Sequence, residues 1–314
     1  MGAGSHDSDD FPLVTIVTPS YNQGLFIERT ILSVLKQDYP NIEYIIVDAV
    51  STDDTVRILD KYKHQFAKLI VEKDSGQADA INKGFACSRG KIMAYLNSDD
   101  CYAGSSVVSQ AVDFLSHNPD ADLVYGRRMY IDENGKFLRQ YPFSPFSKEE
   151  LYQACYIPQE CCFWTKEIYD RAGSYINLDY RFALDYELWF RFLDHHANFV
   201  AINSVFGLFR EHQDSKTISA WHTIGYPEAR RLIKQYTKKD VTMHQMYDVL
   251  FQHFFHMCRN KQPLESQVSS LIWDQQLQLS SFLLGGAPLD YWVYQQFTTK
   301  TTQHPSFSKQ TCNP

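Results

Sequence analysis

The sequence predicts an α/β fold in which a mostly parallel central sheet is flanked by helices. Three observations carry this prediction. Short apolar runs alternate with segments of helical periodicity from residue 13 to residue 100. Several of these runs end directly in a carboxylate or a turn residue, as strands do at the edge where open α/β sheets bind ligands. After residue 122 the pattern becomes that of a hairpin, which adds antiparallel strands.

The composition sets outer limits on the class of protein. The chain has 314 residues, a net charge of -7 and a hydrophobic fraction of 44%, which excludes global disorder and argues against a nucleic-acid partner. Seven scattered cysteines form neither a disulfide framework nor a metal pattern, so we expect a cytoplasmic protein, at most peripheral to a membrane. We expect a polar tail over residues 1–10, the α/β domain over 11–220 and a helical region over 221–314.

In the first half, the apolar runs predict four strands joined by helices. The strands are expected at 13–18, 44–47, 68–71 and 92–96. The helices are expected at 26–35, around residues 56–59, and from about residue 78 to a close near Gly90. The first strand is predicted to stop before Pro19, because proline cannot donate to a sheet ladder. The pattern Ser51-x-x-Asp54 predicts a cap for the second helix.

Right-handed crossovers between parallel strands bring their carboxyl ends to one rim of the sheet. Asp48, Asp74 and the adjacent pair Asp99 and Asp100 follow predicted strands, so we expect them to share a cleft. Two carboxylates at such an edge can hold a divalent cation. From spacing alone, an alternative stays open in which the pair caps a helix beginning near Ser105 or lies in a solvated turn.

The second half predicts further strands and helices. Strand runs lie at 123–125 and 128–131, then at 137–141 after the turn residues Asn134-Gly135, and later at 158–164, 199–202 and 206–209. Helices are expected over 166–172, ending at Gly173, and around Asp185, and helical polar sequence follows Trp221.

Five ordered segments of this chain together resemble the inverting glycosyltransferases of family 2, which have the GT-A fold. The segments are residues 17–22 (Val-Thr-Pro-Ser-Tyr-Asn), 46–53, 74–84, 96–100 (Leu-Asn-Ser-Asp-Asp) and 183–189. The resemblance spans roughly residues 12–216. It implies a GT-A fold with a C-terminal helical extension.

The resemblance also implies roles for particular residues. The donor nucleotide sugar would be bound by Thr18, Pro19, Tyr21, Asp48, Asp74, Gly76, Asp79, Lys83 and Asp99. A Mn²⁺ or Mg²⁺ ion would be held by Asp100 and His212, and Asp185 would be the catalytic base. One departure is Ala49-Val50, where the family commonly has glycines.

Structural alternatives stand beside these roles. Asp185 could be an ordinary carboxylate at a helix start, with Glu187 a weaker substitute as base. His212 could be structural. Trp189 is expected in the core, whereas Trp164 is left open between the core and a sugar-stacking role.

Together these observations predict a metal-dependent transferase that moves a hexose from a nucleotide diphosphate sugar, expected to be a UDP-sugar, to a hydroxyl of a glycan. The acceptor could be lipid-linked, and the basic cluster at 230–239 could touch an anionic membrane, although a solvated helix face is the simpler reading. A non-catalytic carbohydrate- or nucleotide-sugar-binding protein on the same scaffold is the alternative. A dinucleotide-binding enzyme is not supported, because no G-x-G-x-x-G follows the first strand.

Overall fold

A computed structural model describes residues 11–259, with the backbone alone at 218 and 254–259. The predictions for residues 1–10 and for 260–314 lie outside this range. Within it, nine strands form one sheet. They are β1 (Val14–Ser20), β2 (Ile42–Asp48), β3 (Lys68–Val71), β4 (Ile92–Tyr95), β5 (Cys101–Tyr102), β6 (Leu123–Ile131), β7 (Phe137–Gln140), β8 (Cys162–Thr165) and β9 (Phe199–Arg210).

Helices cover both faces of this sheet. The described range contains α1 (Ile27–Leu35), α2 (Thr55–Tyr62), α3 (Gln77–Phe85), α4 (Val107–His117), α5 (Lys148–Leu151), α6 (Lys166–Arg171), α7 (Leu184–Asp194), α8 (Lys216–Ser219), α9 (Tyr226–Thr237) and α10 (Met243–Arg259). Two 3₁₀ turns, Lys63–Gln65 and Gln159–Cys161, and a π-helical turn, Trp221–Gly225, join some of them.

The sheet is parallel on one side and mixed on the other. Its order is β3-β2-β1-β4-β8-β6-β9-β5, with β7 paired to β6. β1 pairs in parallel with β2 and β4, and β2 with β3, as predicted, whereas β8 joins β4 in the antiparallel direction. The hairpin of β6 and β7 is confirmed as well. The carboxyl ends of β1, β2 and β4 therefore meet at one edge.

Two apolar clusters hold the helices against the two faces. One contains Trp164, Trp189 and residues of α9 and α10, and the other packs α1, α2 and α4 on the opposite face. Both tryptophans have no exposed surface, which confirms the core prediction for Trp189 and settles Trp164 as core. Because α9 and α10 contribute Leu232 and Met246 to the first cluster, the described part of the C-terminal region packs on the same core as the sheet.

The prediction that β1 stops before Pro19 was wrong. The strand continues through Pro19 and Ser20, which pair with Val47 and Asp48 of β2. Backbone groups alternate sides along a strand, and those of Val17 face β4. Those of Pro19 face the same side, where pairing with β4 has already ended, so the missing N–H leaves no hydrogen bond unmade.

The predicted cap at Ser51-x-x-Asp54 does not form. The N–H and hydroxyl of Ser51 instead donate to the carboxylate of Asp48, at 2.8 and 2.6 Å. Asp53 Oδ1 accepts the N–H of Thr55 at 3.0 Å, at the first residue of α2. Ser51 thus bonds to Asp48, the last residue of β2, and does not cap α2.

Three predicted boundaries in the second half also differ. The runs at 123–125 and 128–131 form a single strand, β6, and those at 199–202 and 206–209 form a single strand, β9. These two strands pair in parallel with register shifts between Tyr125 and Arg128, and such irregularities break an alternating pattern without ending the strand. The run at 158–164 begins as a 3₁₀ turn and becomes strand β8 only at Cys162.

Candidate functional site

Two adjoining cavities open at the edge where the parallel strands end. The Asp99 cavity, of about 380 Å³, lies against β1 and the loop after β4. The Asp185 cavity, of about 230 Å³, lies between that loop, the start of α7 and the C-terminal helices. The two cavities share five lining residues, which are Gln77, Asn97, Phe209, Lys216 and Thr217. A ligand lying in one cavity therefore meets a wall that also faces the other.

The carboxylates of Asp99 and Asp100 sit differently in this edge. Asp100 has 1% of its surface exposed, and its Oδ1 accepts the backbone N–H of Arg210 at 3.0 Å. The Arg210 guanidinium donates to the carbonyl of Asp99 at 2.9 Å. Asp99 Oδ2 lies 3.0 Å from His212 Nε2, and both side chains line the cavity. Strand β9 therefore positions the acidic loop through residues at its end.

The acidic pair lies in a turn, with Asp99 half-buried, and it does not cap a helix. Strand β5 follows Asp100 directly and pairs with β9, and α4 begins only at Val107. Burial raises the pKa of Asp100 well above its ordinary value, and the neighbouring carboxylates of Asp99 and Glu160 add to this rise. A cation beside the pair would favour the ionised carboxylates.

A divalent cation fits these residues. A carboxylate oxygen and an imidazole nitrogen are ligands that Mn²⁺ accepts, and Asp99 and His212 present them side by side. Within residues 11–259 no three His, Cys, Asp or Glu side chains form a complete metal site. Such an ion would take its remaining ligands from water and phosphate, as Mg²⁺ commonly does.

The residues predicted to bind the nucleotide fall into three groups. Pro19, Tyr21, Asp74 and Gly76 line the Asp99 cavity. Gly76 has a φ of +121°, a conformation that glycine adopts readily. Asp74 Oδ1 accepts the N–H of Gly76 at 2.9 Å, which shapes the turn into α3.

Thr18 and Asp48 lie behind this wall. Thr18 is fully buried, with its hydroxyl 3.1 Å from the hydroxyl of Tyr44. Asp48 is 1% exposed and holds Ser51. Thr18 joins β1 to β2, Asp48 shapes the loop after β2, and neither residue lines the cavity.

Asp79 and Lys83 lie outside the cavity and contact each other and the loop before α3. Lys83 Nζ lies 3.0 Å from Glu72 and 3.6 Å from Asp79, and it donates to the carbonyl of Lys73. Asp79 Oδ2 accepts the N–H of Ser75. These contacts brace the loop before α3.

Three polar groups in the Asp99 cavity were missed by sequence reasoning. The hydroxyls of Ser20 and Ser215 and the Oε1 of Gln23 are buried and have no hydrogen-bond partner in the described part of the chain. Buried polar atoms without a partner are costly unless a ligand or water satisfies them. Serine and glutamine are too common for sequence alone to single these out.

Asp185 lies in the first turn of α7 and lines the second cavity. Its Oδ1 accepts the N–H of Tyr186 at 2.8 Å. Burial raises its pKa to about 6, although the Arg128 guanidinium opposes this rise. A carboxylate with this pKa is ionised at neutral pH and accepts a proton readily.

The start of α7 is also capped by a residue from another helix, in addition to the bond from Tyr186 to Asp185. The carboxylate of Glu228, on α9, accepts the N–H groups of Arg181, Phe182 and Ala183 at 2.8 to 3.1 Å. Ala183 itself makes no side-chain cap. Glu228 thus satisfies the N–H of the N-cap residue Ala183 and fixes the two residues before it, while Asp185 accepts the N–H of Tyr186.

Glu187 cannot easily replace Asp185. It is 3% exposed and forms a buried ion pair with Arg191, with Nε at 2.9 and 3.0 Å from its two oxygens. Arg191 also donates to the carbonyls of Ala172 and Tyr175. The pair fixes α7 against the preceding loop.

The two cavities and the sheet order define a GT-A type glycosyltransferase fold. Solved structures with low sequence identity share it. Staphylococcus aureus TarS 1–349 in complex with UDP-GlcNAc superposes with a TM-score of 0.59 at 16% identity, covering 93% of each chain. The mannosyltransferase PcManGT from Pyrobaculum calidifontis, in complex with GDP-Man and Mn²⁺, gives a TM-score of 0.58 at 17% identity, covering 93% of this chain and 86% of that one.

The sequence comparisons identify the family. Glycosyl transferase family 2 matches residues 15–174, just over half of the chain. An uncharacterized glycosyltransferase of Mycobacterium tuberculosis H37Rv is 33% identical over 182 residues, which cover 57% of this chain and 68% of that protein. The putative teichuronic acid biosynthesis glycosyltransferase TuaG of Bacillus subtilis is 45% identical over 92 residues, 28% of this chain and 36% of TuaG.

This chain therefore belongs to glycosyl transferase family 2, and it is a glycosyltransferase. The family assignment confirms the resemblance seen in the motifs and favours an enzyme over a binding-only scaffold. The family match ends at residue 174, before Asp185 and His212, so the roles of these two residues rest on the geometry above.

Proposed function

We propose that this protein is a metal-dependent, inverting hexosyltransferase that uses a nucleotide diphosphate sugar, expected to be a UDP-sugar, and transfers the hexose to a hydroxyl of a glycan. The single observation that carries the proposal is the shared wall of the two cavities. Asp99 and His212 line one cavity and Asp185 lines the other. Side chains suited to bind a metal diphosphate and a carboxylate suited to act as the catalytic base therefore lie on the two sides of one shared wall.

We propose that the donor binds in the Asp99 cavity, and the chemistry of the lining supports this. Pro19 and Tyr21 offer an apolar and an aromatic surface for the nucleobase of the donor. The unpartnered hydroxyls of Ser20 and Ser215 offer polar contacts. Structural neighbours bind UDP-GlcNAc and GDP-Man, which supports a nucleotide sugar without choosing between the two bases.

The metal is proposed to bind at Asp100 and His212 together with Asp99, because all three side chains line the Asp99 cavity and Asp99 lies 3.0 Å from His212. When bound, Mn²⁺ or Mg²⁺ would offset the negative charge that develops on the departing diphosphate. Lys216 lines both cavities, and its ammonium group can add to this stabilisation. Partial desolvation lowers the pKa of Lys216, whereas Asp99 and Asp185 favour its charged form.

The base is proposed to be Asp185. In a single displacement, the acceptor hydroxyl loses its proton to the carboxylate as its oxygen attacks the anomeric carbon, and the bond to the diphosphate breaks on the opposite face. Aromatic side chains around Asp185, among them Phe182, Tyr186 and Trp221, suit the apolar face of a sugar ring. The Asp185 cavity is therefore proposed as the acceptor site.

The domain limits and the location of the protein are parts of the same proposal. Residues 11–220 would carry the catalytic machinery and residues 221–314 the helical extension, whose described part already walls the acceptor cavity through Met246 and Leu250. We propose a cytoplasmic enzyme of polysaccharide or glycoconjugate synthesis. The five cysteines whose side chains the structure describes are free thiols, which agrees with a reducing compartment.

Contact with a membrane is proposed only through a lipid-linked acceptor. No helix within residues 11–259 is both long and apolar enough to cross a bilayer. Arg230 is paired with Asp240 at 2.6 Å, and Arg231 donates to the carbonyl of Asp179, so part of the basic cluster is engaged within the protein.

The decisive experiment measures nucleotide release and product formation from a panel of UDP- and GDP-sugars with Mn²⁺ and a set of glycan acceptors. Asp185→Ala and Asp100→Ala are compared with the wild type, and Asp194→Ala, at the far end of α7, is the matched control. We expect turnover with one donor, an inverted linkage, and loss of transfer in the first two variants alone. Full activity in either variant would remove its assigned role.

A further inference from the structure

The partition between the two cavities contains a continuous chain of side-chain hydrogen bonds. Lys216 Nζ donates to Gln77 Oε1 at 2.5 Å, and Gln77 Nε2 donates to Asn97 Oδ1 at 2.7 Å. Asn97 Nδ2 donates in turn to Asp100 Oδ2 at 3.3 Å. The chain thus runs from a cation to a carboxylate through two neutral amides.

The direction of this chain is fixed by its first member. An ammonium group has only donors, so the amide atom of Gln77 that faces Lys216 must be its oxygen. The amide nitrogen of Gln77 then faces Asn97, which must present its oxygen to it. The nitrogen of Asn97 is left for Asp100, and each amide has one orientation that satisfies both of its neighbours.

The four residues of the chain come from three separate elements. Gln77 begins α3, Asn97 and Asp100 belong to the loop after β4, and Lys216 begins α8. Gln77, Asn97 and Lys216 line both cavities. Hydrogen bonds in such chains polarise one another, so removing a middle member weakens the hold on both ends.

We infer that Gln77 and Asn97 are positioning residues, which hold the Lys216 ammonium at the partition between donor and acceptor and orient the carboxylate of Asp100. This inference rests on the proposed function for the roles of Lys216 and Asp100. The two amides transfer no proton and touch no reacting bond. They act by fixing where the positive charge of Lys216 lies when the diphosphate departs.

A double-mutant cycle tests the coupling. Gln77→Met, Lys216→Met and the double variant are compared with the wild type for UDP affinity in the presence of Mn²⁺, by calorimetry, and for donor KM and kcat. Gln153→Met, at an exposed glutamine that lines neither cavity, is the matched control. We expect each single variant to weaken UDP binding about tenfold, as loss of one hydrogen bond to a charged group does. The double variant should be about tenfold weaker as well.

Two outcomes would overturn the inference. A hundredfold loss in the double variant would mean that the two side chains act independently. Unchanged UDP affinity and donor KM in Gln77→Met would mean that the amide positions nothing. A lower melting temperature with unchanged affinity would point to a structural role alone.

A measurement without nucleotide keeps this inference separate from the proposed function. The rate of reductive methylation of Lys216, followed by mass spectrometry, should rise several-fold in Gln77→Met and stay near the wild-type rate in Gln77→Glu, which keeps an acceptor for the ammonium. Equal rates in all three proteins would overturn the inference. A wild-type protein that releases nucleotide from no donor would instead overturn the proposed function, whatever the labelling shows.

Discussion

Glu228 Oε2 accepts the N–H of Ala183 at 2.9 Å, and through this bond α9 caps the helix that carries Asp185. The same carboxylate also receives the N–H groups of Arg181 and Phe182. A negative charge at a helix start is favoured by the helix dipole. The C-terminal region therefore takes part in placing the proposed base.

We expect Glu228→Ala to lower the free energy of unfolding by about 1 to 2 kcal/mol, the usual cost of removing a cap. It should also reduce kcat, because the first turn of α7 loosens around Asp185. Chemical denaturation and steady-state kinetics measure the two effects. Glu149→Ala, in the first turn of α5, is the control. Unchanged kcat with lowered stability would separate the cap from the positioning of Asp185.

If Asp185 is the catalytic base, the pH profile of the transfer rate should fall on its acidic side. Because burial raises the pKa of Asp185 to about 6, the carboxylate is ionised above this pH and protonated below it. The rate of transfer should therefore fall as pH drops through about 6, and Asp185→Asn should lower kcat by roughly 10²- to 10⁴-fold. A pH profile of kcat/KM checks this fall, with Asp194→Asn as the control. A fall that persists unchanged in residual Asp185→Asn activity would contradict the assignment.

The same carboxylate should make the folded state less stable at neutral pH. Its pKa of about 6 in the folded protein is above the ordinary value of 3.8, so the folded state binds more protons than the unfolded chain between these values. Stability then falls as pH rises from about 4 to about 6.

Asp185→Asn should therefore stabilise the protein at pH 7, by on the order of 1 to 3 kcal/mol, and the gain should vanish below about pH 4. Thermal unfolding across this pH range measures it. A gain that is independent of pH would show another cause, such as altered packing.

Val50 is held in a strained conformation. Its φ is +63°, which is unfavourable for a β-branched residue. Hydrogen bonds on both sides of Val50 hold this conformation. Asp48, before it, accepts the N–H of Ser51, after it. The side chains of Asn22 and Ser51 join the loop that contains Val50 to the loop after β1. This conformation accounts for the glycine that the family commonly has at this point.

We expect Val50→Gly to raise the free energy of unfolding by about 1 kcal/mol, because relief of strain of about 1 to 3 kcal/mol exceeds the entropic cost of glycine. Ala49→Gly, at a residue without positive φ, should instead lower it by about 0.5 to 1 kcal/mol. Urea unfolding of the three proteins tests this contrast. Equal effects of the two substitutions would argue against strain at Val50.

Metal binding should depend on Asp99 and His212. We expect Asp99→Asn and His212→Asn to weaken Mn²⁺ binding at least tenfold, because each removes a proposed ligand. Electron paramagnetic resonance of free Mn²⁺ in the presence of UDP reports the affinity. His117→Asn is the matched control, since His117 also lies beside an aspartate, 3.2 Å from Asp113 on the exposed face of α4. Equal affinity in the His212 and His117 variants would remove His212 from the site.

Local patterns predicted much of the fold. The four parallel strands and the hairpin follow from alternation of apolar runs and turn residues, and β3 has the predicted bounds. Errors arose where a distant partner decided a local feature. Pro19 is tolerated in β1 because its neighbour strand ends early, and Ser51 bonds to Asp48 instead of capping α2.

The site was harder to predict than the fold. Acids that follow strands could be found by position, and this placed Asp74 and Asp99 at the cavity. Other features depend on side-chain packing in three dimensions. They are the burial of Thr18 and Asp48, the unpartnered hydroxyl of Ser215 and the hydrogen bonds of the Gln77 amide. No sequence spacing encodes the cap that Glu228 supplies from another helix.

The pairing of Asp99 with His212 joins positions 113 residues apart in the chain. During synthesis, strands β1 to β4 can pair with one another before β9 leaves the ribosome, whereas the contact between Asp99 and His212 requires the residue that follows β9. Loops closed over such distances form late. Nascent chains should thus acquire a folded nucleus well before they acquire any capacity to hold a nucleotide, and substrate cannot assist the first stages of folding.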